Sequence, residues 1–529
     1  MAGTLTSIQG TTEQEQEESG MWLHSEIKTL GDIPRYYARV SPDKIALIDS
    51  SVRRSFAELD KRTNRLANFL LERGLPRESH VAFLGKNSAR YFEAVFGASK
   101  ASCALVPMNW RLAVPELCTV AIDAQIRILL ADADSYELAV ALQNECGQPF
   151  EVIRFTNQWL DELACGDADP RVDVYQDQTA LLMYTSGTTG KPKGVQLTHL
   201  GFNFMRFCEH NEPAYDWTPD DIKMLVMPNF HLVGSGLSIQ ALYNGATLSI
   251  VAAFDPKLVL EAIKRDRPTI CALVPTAIQM LIESSPEDAD FSCLRMIMYA
   301  GSPISPALLK QAMQRFGCRF MQFYGATESC GAATLLRPEQ HDLEHEGSLK
   351  SCGTPLPWIE IDIVDANGQR LPAGEIGEML IRSPTMFRGY WNNPGATADV
   401  MQDGWYHSGD AGYKDEKGLI YIVDRVKDMI VTGGENVYSI EVEQVLDAHP
   451  AVKKSAVVGR PCEKWGEMIV AVVVLEEGAV VSEKELDDAC RKKIAGYKAP
   501  KEYRFIESFP LSATGKILKR VLRDELTSG

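Results

Sequence analysis

The chain has 529 residues and a formal net charge of −17, from 54 Lys and Arg against 71 Asp and Glu. A single hydrophobic core stops growing well below this length, so we expect at least two domains. The acidic balance argues against functions that depend on broad attraction to nucleic acid or to anionic membranes.

The composition and the termini predict a cytoplasmic protein. The 12 cysteines include no CxxC pair, so neither a zinc site nor a disulfide framework is expected. Residues 1–25 are polar and acidic, which predicts a disordered lead-in rather than a secretory signal. No apolar run approaches the ~18 residues that cross a bilayer. Peripheral membrane contact and a homodimer stay open.

From about Ile27 onward, helical stretches alternate with short apolar runs, a βα rhythm that is typical of α/β domains. After Gly353 the segments become short and β-like, and Asn367-Gly368 is a strong hairpin signal, which predicts an antiparallel or barrel subdomain. The last hundred residues predict a small α+β domain. The predicted elements are a helix at 55–73, apolar runs at 81–84, 104–107, 224–228, 270–275 and 296–299, helices at 439–448 and 482–494, and strands at 455–458 and 469–475.

Residues 184–195, YTSGTTGKPKGV, form the first motif with a clear chemistry. Glycines let the backbone present successive N–H groups to phosphate oxygens, while hydroxyl and lysine side chains add donors and charge. A Walker A loop requires GxxxxGK[ST], but Thr185 replaces its first glycine and Pro192 follows Lys191. The motif therefore predicts a triphosphate-binding loop of another class, with a flexible surface loop as the alternative.

Two shorter motifs follow. Residues 322–328, QFYGATE, combine an aromatic ring that can stack on a purine with Glu328, an oxygen ligand suited to Mg²⁺. Residues 406–410, YHSGD, place Asp410 after a glycine, where a carboxylate can accept both ribose hydroxyls. Each of these is also compatible with an ordinary turn.

Together with residues 424–443, DRVKDMIVTGGENVYSIEVE, and residues 510–520, PLSATGKILKR, these motifs resemble the adenylate-forming superfamily, in particular its acyl-CoA synthetase branch. The resemblance extends from residue 27 to residue 526. It implies an α/β fold, with a large N-terminal domain (26–426) of two α/β subdomains plus a distorted β-barrel. It also implies a small mobile α+β C-terminal domain (427–529), which rotates at the hinge Lys427 between two half-reactions.

The resemblance implies binding of ATP, with Mg²⁺ as cofactor held by Glu328. Asp410 and Arg425 match the ribose contacts, and Lys516 matches a mobile lysine that meets the attacking carboxylate and the α-phosphate. Phe323 departs from the glycine of many relatives. The predicted catalytic residues are Lys516, Thr185, Glu328 and His231. The predicted ATP-binding residues are Thr185, Ser186, Gly187, Thr188, Thr189, Gly190, Lys191, Lys193, Gly301, Ser302, Pro303, Gln322, Tyr324, Gly325, Ala326, Thr327, Asp410, Ile422, Arg425 and Lys516.

Coenzyme A is the second co-substrate that the resemblance implies. Lys498 matches a CoA-contacting position, although a solvated surface charge is an equal alternative there. The predicted CoA-binding residues are Gly433, Gly434, Glu435, Trp465, Tyr497, Lys498 and Lys501.

The acid is predicted to be hydrophobic. Relatives that activate α-amino acids have an aspartate where His231 follows Phe230, so an amino-acid substrate is disfavoured; His231 is either a gate beside the acyl site or a packed core histidine. Residues 320–331 lack the tryptophan of acetate-type relatives, which favours a medium-to-long or aryl acid. The predicted acyl-pocket residues are Phe230, His231, Val233, Leu237, Val274, Tyr299, Gly301, Ala326, Cys330 and Gly331.

The implied activity is an acid–thiol ligase that converts a carboxylate, ATP and CoA to acyl-CoA, AMP and pyrophosphate through an acyl-adenylate. Two alternatives stay open: an adenylating enzyme that loads a separate carrier protein, and a luciferase-like oxygenase. We expect a small-molecule acid, and no nucleic acid, as the binding partner.

Overall fold

A computed structural model of the chain describes residues 24–185, 192–302, 304–343, 346–432, 435–462, 465–511 and 517–528. The predicted lead-in therefore lies almost wholly outside the described residues. The chain divides into two compact units, Met1–Glu360 with Arg382–Tyr406, and Ile361–Ile381 with His407–Gly529. The predicted domain limits and the hinge at Lys427 stay predictions.

The helices and strands alternate through the first unit, as the βα rhythm predicts. The described helices are α1 Asp32–Val40, α2 Phe56–Glu72, α3 Ala89–Lys100, α4 Val114–Ala124, α5 Tyr136–Cys146, α6 Asn157–Glu162, α7 His199–His210, α8 Leu232–Tyr243, α9 Pro256–Asp266, α10 Pro275–Ser284, α11 Pro306–Phe316, α12 Glu346–Leu349, α13 Pro394–Val400, α14 Ser439–Asp447, α15 Glu483–Lys493 and α16 Lys519–Ser528. Short 3₁₀ helices span Thr327–Ser329, Pro338–Gln340 and Val426–Asp428.

The described strands are β1 Ile45–Ile48, β2 Arg53–Ser55, β3 His80–Leu84, β4 Ala104–Met108, β5 Ile128–Ala131, β6 Glu151–Arg154, β7 Thr179–Thr185, β8 Lys193–Thr198, β9 Ile222–Leu225, β10 Thr247–Ile250, β11 Ile270–Leu273, β12 Met296–Tyr299, β13 Arg319–Tyr324, β14 Thr334–Leu336, β15 Thr354–Pro355, β16 Glu360–Val364, β17 Gly377–Arg382, β18 Met401–Gln402, β19 Trp405–Lys414, β20 Ile420–Arg425, β21 Ile430–Thr432, β22 Glu435–Val437, β23 Val452–Cys462, β24 Gly466–Leu475 and β25 Glu502–Phe505.

Two mainly parallel sheets organise the first unit. One has nine strands in the order β15-β14-β13-β12-β11-β9-β10-β1-β2, and the other has six in the order β6-β5-β3-β4-β7-β8. All residues of β3, β4, β11 and β12 are buried, as expected for parallel strands covered on both faces. The predicted pair of α/β subdomains is confirmed.

The second unit contains the sheet β22-β21-β24-β23, with β25 also paired to β24. Helices α14 and α15 contribute Val442, Leu446, Leu486 and Cys490 to its buried core, so the predicted α+β arrangement is confirmed. A further sheet has the order β16-β17-β19-β18, with β20 also paired to β19. The predicted hairpin turn is also confirmed, because the Asp365 N–H donates to the carbonyl of Gln369 across Asn367-Gly368.

Several predicted boundaries shift for local reasons. The predicted helix at 55–73 begins at Phe56, because Ser55 is its N-cap and forms a capping box with Glu58. The predicted strand at 270–275 ends at Leu273, because Pro275 is the first residue of α10. Within the described residues, no helix combines the length and the apolar character needed to cross a membrane.

Candidate nucleotide and acyl site

Most of the residues predicted to contact the acyl group and the adenine lie at one edge of the nine-stranded sheet. Strands β9, β11, β12 and β13 are parallel, and Leu273, Tyr299 and Gln322 pair in register. The segments that follow these strands therefore leave the sheet at the same edge, where ligands of α/β proteins bind. These segments carry Phe230, His231, Val233, Val274, Gly301, Ser302, Gly325, Ala326, Thr327, Glu328, Cys330 and Gly331.

The predicted gate lies where β9 gives way to α8. The His231 N–H donates to the Pro228 carbonyl, and the rings of His231 and Phe230 are 4.7 Å apart. His231 is half-buried and Phe230 is buried, so the histidine has partial access to solvent while its neighbour packs inside. Both interpretations of His231 remain compatible with this position. Val233 and Leu237, one helical turn apart on α8, are half-buried.

Tyr299 lies deeper in this region than its neighbours. Its side chain is 1% exposed, and its hydroxyl donates to Gln322 Oε1 at 3.3 Å and lies 3.0 Å from His341 Nε2. The hydroxyl is therefore engaged inside the protein, and the ring is buried with it.

The turn after β13 has a close backbone approach that explains the glycine of QFYGATE. A Cβ added to Gly325 would lie 2.0 Å from the Gly331 carbonyl oxygen, which no side chain tolerates. Ser329 closes the turn, because its hydroxyl accepts from the Ala326 N–H at 3.0 Å and lies 2.8 Å from the Gly331 carbonyl oxygen. The turn is therefore held in one shape before any ligand binds.

Glu328, the predicted magnesium ligand, is a buried carboxylate at the centre of this turn. It is 8% exposed, and the Tyr390 hydroxyl donates to its Oε1 at 2.7 Å. Burial, together with the charge of Glu328, raises the pKa of Tyr390. Lys193 Nζ lies 4.7 Å from the centre of the Tyr390 ring. Tyr390 thus connects the predicted metal ligand with the base of the phosphate loop.

The strands on either side of the phosphate loop, β7 and β8, are antiparallel neighbours. Thr185 pairs with Lys193 at its base, and the Tyr184 hydroxyl donates to the Asp123 carboxylate. The structure thus fixes both ends of the loop. Ten predicted positions lie outside the described residues: Ser186, Gly187, Thr188, Thr189, Gly190, Lys191, Pro303, Gly433, Gly434 and, in the motif near the C-terminus, Lys516.

The second unit brings together the two predicted ribose contacts. Asp410 on β19 pairs across the sheet with Arg425 on β20, and Arg425 Nε lies 2.6 Å from Asp410 Oδ1. Ile422, on the same strand as Arg425, pairs with Gly412. The alternative of an ordinary turn at YHSGD is excluded, because the segment lies within β19, where Gly409 has a φ of 68°. A glycine accepts this left-handed conformation inside the strand without strain.

The predicted CoA-binding residues that the structure describes lie on the surface of the second unit. Trp465 and Tyr497 expose 42% and 45% of their surface, so both rings can be reached from solvent. Lys498 Nζ binds both oxygens of Glu441, at 2.8 and 2.7 Å. Lys498 is therefore an ion-paired residue rather than a freely solvated charge.

The remaining predicted residues of this unit are placed as follows. Lys501 is exposed and donates to the Gly496 carbonyl at 3.3 Å, and Glu435 is exposed at the start of β22. Lys427, the predicted hinge, is an exposed residue in the 3₁₀ helix Val426–Asp428.

The donor set at Glu328 fits a magnesium ion that is held mainly by its nucleotide. Among the described residues, no group of three or more His, Cys, Asp and Glu side chains could hold a metal alone. Mg²⁺ in nucleotide enzymes is commonly bound by one or two carboxylates together with waters and substrate phosphates. One buried carboxylate, oriented by a tyrosine, meets that requirement.

Sequence reasoning missed Tyr390. It lies within RGYW, residues 388–391, a segment without the charged or glycine-rich pattern of a catalytic motif. Its backbone bridges to Val195 of β8, while its hydroxyl reaches Glu328. Only the long-range pairing of the chain reveals this role.

Comparison with known proteins identifies the family of this chain. The family model described as AMP-binding enzyme matches residues 35–391, and that of the AMP-binding enzyme C-terminal domain matches residues 441–516. A feruloyl-CoA synthase from Amycolatopsis sp is 37% identical over 93% of this chain and 98% of its own length. A fatty acid–[acyl-carrier-protein] ligase, ScoC, from Streptomyces coeruleorubidus is 36% identical over 95% of this chain and 97% of its own.

Solved structures of o-succinylbenzoate CoA synthetase (MenE) from Bacillus subtilis match with a TM-score of 0.82 and 31% identity, covering 93% of this chain and 98% of theirs. One contains the acyl-adenylate intermediate OSB-AMP, and another contains ATP and a magnesium ion. The predicted resemblance is confirmed: the chain belongs to the AMP-binding enzyme family, in its acyl-CoA synthetase branch.

Proposed function

We propose that this chain is an ATP-dependent acyl-CoA synthetase that joins a hydrophobic carboxylic acid to coenzyme A, releasing AMP and pyrophosphate. The observation that carries the proposal is the single sheet edge that holds the Glu328 turn, the Gly301-Ser302 segment and the Phe230-His231 gate. A nucleotide and an acid bound at this edge would lie side by side, as acyl-adenylate formation requires.

In the first half-reaction, an oxygen of the acid attacks the α-phosphorus of ATP, and the bond to the pyrophosphate oxygen breaks. Thr185, Lys193 and the amides of the phosphate loop would hold the β- and γ-phosphates, and Asp410 with Arg425 would bind the ribose. Lys516 would place its ammonium beside the oxygens on which negative charge accumulates. Bound Mg²⁺, held by Glu328 and the phosphates, would supply charge neutralisation there.

In the second half-reaction, the CoA sulfur attacks the acyl carbonyl carbon, and the bond to the AMP phosphate oxygen breaks. Rotation at Lys427 would replace Lys516 with the surface that carries Glu435, Trp465, Tyr497 and Lys501. The exposed rings of Trp465 and Tyr497 support this assignment. A protein nucleophile is not required in either step.

A second candidate acceptor is the phosphopantetheine thiol of a separate carrier protein. The 36% identical ScoC ligase, named for an acyl-carrier-protein substrate, favours it. The chemistry of the two half-reactions is the same for either thiol, so only the acceptor distinguishes the candidates.

The acid is proposed to be medium-to-long aliphatic or aryl, because the described acyl-pocket residues are mostly small or apolar. A cytoplasmic location, a homodimer and peripheral membrane contact remain parts of this proposal to be tested separately.

The test is a screen of purified protein with Mg·ATP and aliphatic and aryl acids of graded length. Pyrophosphate release is measured first, then thioester formation with CoA and, in parallel, with a phosphopantetheinylated carrier protein. The proposal predicts acid-dependent pyrophosphate release and acyl-CoA formation. Thioester on the carrier without acyl-CoA would favour the second candidate, and no pyrophosphate with any acid would contradict both.

A further inference from the structure

The turn that carries the predicted gate closes tightly on the first turn of α8. Residues 226–231 connect β9 to α8, and the N–H groups of Gly234 and Ser235 both donate to the His231 carbonyl at 3.0 Å. A Cβ added to Gly234 would lie 2.2 Å from the Pro228 carbonyl oxygen, so a glycine is required at this position. The backbone of the gate therefore has little room to shift toward α8.

Asn87 reaches this turn from the other sheet. It follows β3 of the six-stranded sheet and is 5% exposed. Its Nδ2 donates to the carbonyls of Met227 and Val251, at 3.1 and 3.0 Å, and its Oδ1 accepts from the Asn229 N–H at 2.9 Å. Its own N–H donates to the Ala252 carbonyl at 3.0 Å. One residue thus binds the segments that leave β9 and β10 of the nine-stranded sheet.

Asn229 makes the reciprocal connection. It is 1% exposed, and its Nδ2 donates to the carbonyls of Gly85 and Lys86 at 3.2 Å each, in the segment that follows β3. Its Oδ1 has no hydrogen-bond partner among the described residues. The position therefore requires the donor group of the amide, because an aspartate would place a carboxylate oxygen against two carbonyl oxygens. Asn87 and Asn229 together form an asparagine clasp between the two sheets.

The carbonyl of Asn229 is fixed as well. The Ser235 hydroxyl donates to it, and the hydroxyl of Tyr91, on α3, lies 2.6 Å from Ser235 Oγ. Ser235 and Tyr91 are both 0% exposed. The N–H and the carbonyl of Asn229, two residues before His231, are therefore both bound by buried side chains.

His231 differs from the asparagine clasp in its exposure. It is half-buried, whereas Asn87 and Asn229 are buried. Buried amides that are hydrogen-bonded on several sides can move only if polar groups are left unsatisfied, which is costly. A backbone movement of the gate would break the clasp, but a rotation of the His231 side chain would not. Side-chain rotation is therefore the less costly way for the gate to open.

We propose that Asn87 and Asn229 are positioning residues for selection of the acid. They hold the backbone of the gate at a fixed place, so that the width of the entrance to the predicted acyl pocket is set by the His231 ring. This inference rests on the proposed function, in which an acid enters beside His231. Neither asparagine needs to touch the acid, because the effect passes through the backbone of residues 229–231. Loosening the clasp should weaken binding of well-fitting acids and admit poorly fitting ones.

The test measures pyrophosphate release by Asn229→Ala with acids of graded length. We expect the KM of the acid that the wild type prefers to rise about tenfold, because small misplacements of positioning groups have effects at least this large. The ratio of kcat/KM between that acid and the poorest accepted acid should fall severalfold, and the KM for Mg·ATP should stay unchanged. Asn144→Ala, the same change at an exposed position of α5, should alter none of these values.

A double-mutant cycle shows whether the clasp acts through His231. In the His231→Ala background, Asn229→Ala should change the preference among acids by less than about twofold, because the ring that it positions is gone. Two changes that act independently would have effects that multiply. Multiplied effects in the double variant would therefore overturn the inference.

Melting temperatures are measured on the same variants. A clasp that is only structural would lower the melting temperature and the fraction of active protein, and hence kcat for every acid equally, with the acid KM unchanged. That result would overturn the inference.

If Asn229→Ala does not fold, Ser235→Ala decides the question. It removes only the hydroxyl that donates to the Asn229 carbonyl, so the acid KM should rise by a smaller factor, and an unchanged acid KM would overturn the inference. Normal acid-dependent pyrophosphate release by the wild type leaves the proposed function standing in either case. No such release with any acid would instead remove the proposed function itself.

Discussion

Two buried glutamates show how differently the two sides of this site are built. Glu328, on the nucleotide side, belongs to a motif, and its Oε1 accepts a hydrogen bond from Tyr390 at 2.7 Å. Glu209, on α7 behind the predicted acyl-pocket residue Gly331, belongs to no motif, and its Oε1 lies 2.8 Å from Arg206 Nη2. One carboxylate is held by a tyrosine hydroxyl at the predicted metal site, whereas the other is held in an internal ion pair.

The difference follows from what each side must recognise. The predicted nucleotide contacts lie in short, recognisable segments such as the Gly325 turn. The predicted acyl-pocket residues, such as Phe230 before α8 and Cys330 after β13, lie in segments that meet only in the folded protein. We therefore expect changes on the nucleotide side to affect all acids alike, and changes on the acyl side to affect them selectively.

The largest effect is expected from Lys516→Ala. Removing the cation that stabilises the attacking and α-phosphate oxygens should lower the rate of adenylate formation by roughly 10²–10³ or more. Reaction of supplied acyl-adenylate with CoA should be largely spared, since the lysine would have left the site. The two half-reactions are measured separately, with Lys453→Ala at an exposed position as the matched control. An equal loss in both would contradict the assigned role.

Glu328→Gln should have the second-largest effect, again on the rate of adenylate formation. The amide keeps the shape of the side chain but loses the charge that would hold Mg²⁺, so adenylation should fall by about 10²-fold for every acid tested. Initial rates of pyrophosphate release are measured over a range of Mg²⁺ concentrations. A loss of pyrophosphate release with only some acids would contradict the expectation that changes on the nucleotide side affect all acids alike.

Tyr390→Phe should have a smaller effect of the same kind. Loss of the hydroxyl that orients Glu328 should weaken apparent Mg·ATP affinity about tenfold, as is usual for groups that orient a metal ligand. Steady-state kinetics should show a higher KM for Mg·ATP and an unchanged ratio between acids. An altered preference among acids would place Tyr390 on the acyl side instead.

The smallest effect concerns stability and pH. Burial raises the pKa of Glu209 in the folded protein to about 7. Its contribution to the free energy of unfolding is therefore fully present below the unfolded-state pKa and is lost as the pH rises to about 7. Glu209→Gln should therefore gain stability relative to the wild type between pH 5 and pH 8, by at most about 3 kcal/mol. Melting temperatures at both pH values test this, with Glu261→Gln, at an exposed position, as control. An unchanged difference between the two pH values would show that the pKa of Glu209 is not raised in the folded protein.

The sequence predicts the alternation of helices and strands and the chemistry of the nucleotide side, because both depend on residues close together in the chain. It leaves a turn open for Asp410, since nothing local reveals that β19 continues through Gly409. The position of Tyr390 could not be predicted, because it depends on contacts with Val195 and Glu328, which are distant in sequence. These contacts form only when the chain folds, and no single segment of the sequence predicts them.

The most direct test of the central claim is the stoichiometry of one reaction. Purified protein, Mg·ATP, CoA and a hydrophobic acid should yield one acyl-CoA and one AMP for each pyrophosphate, with no pyrophosphate released when the acid is omitted. Folded protein that releases no pyrophosphate with any aliphatic or aryl acid would contradict the account.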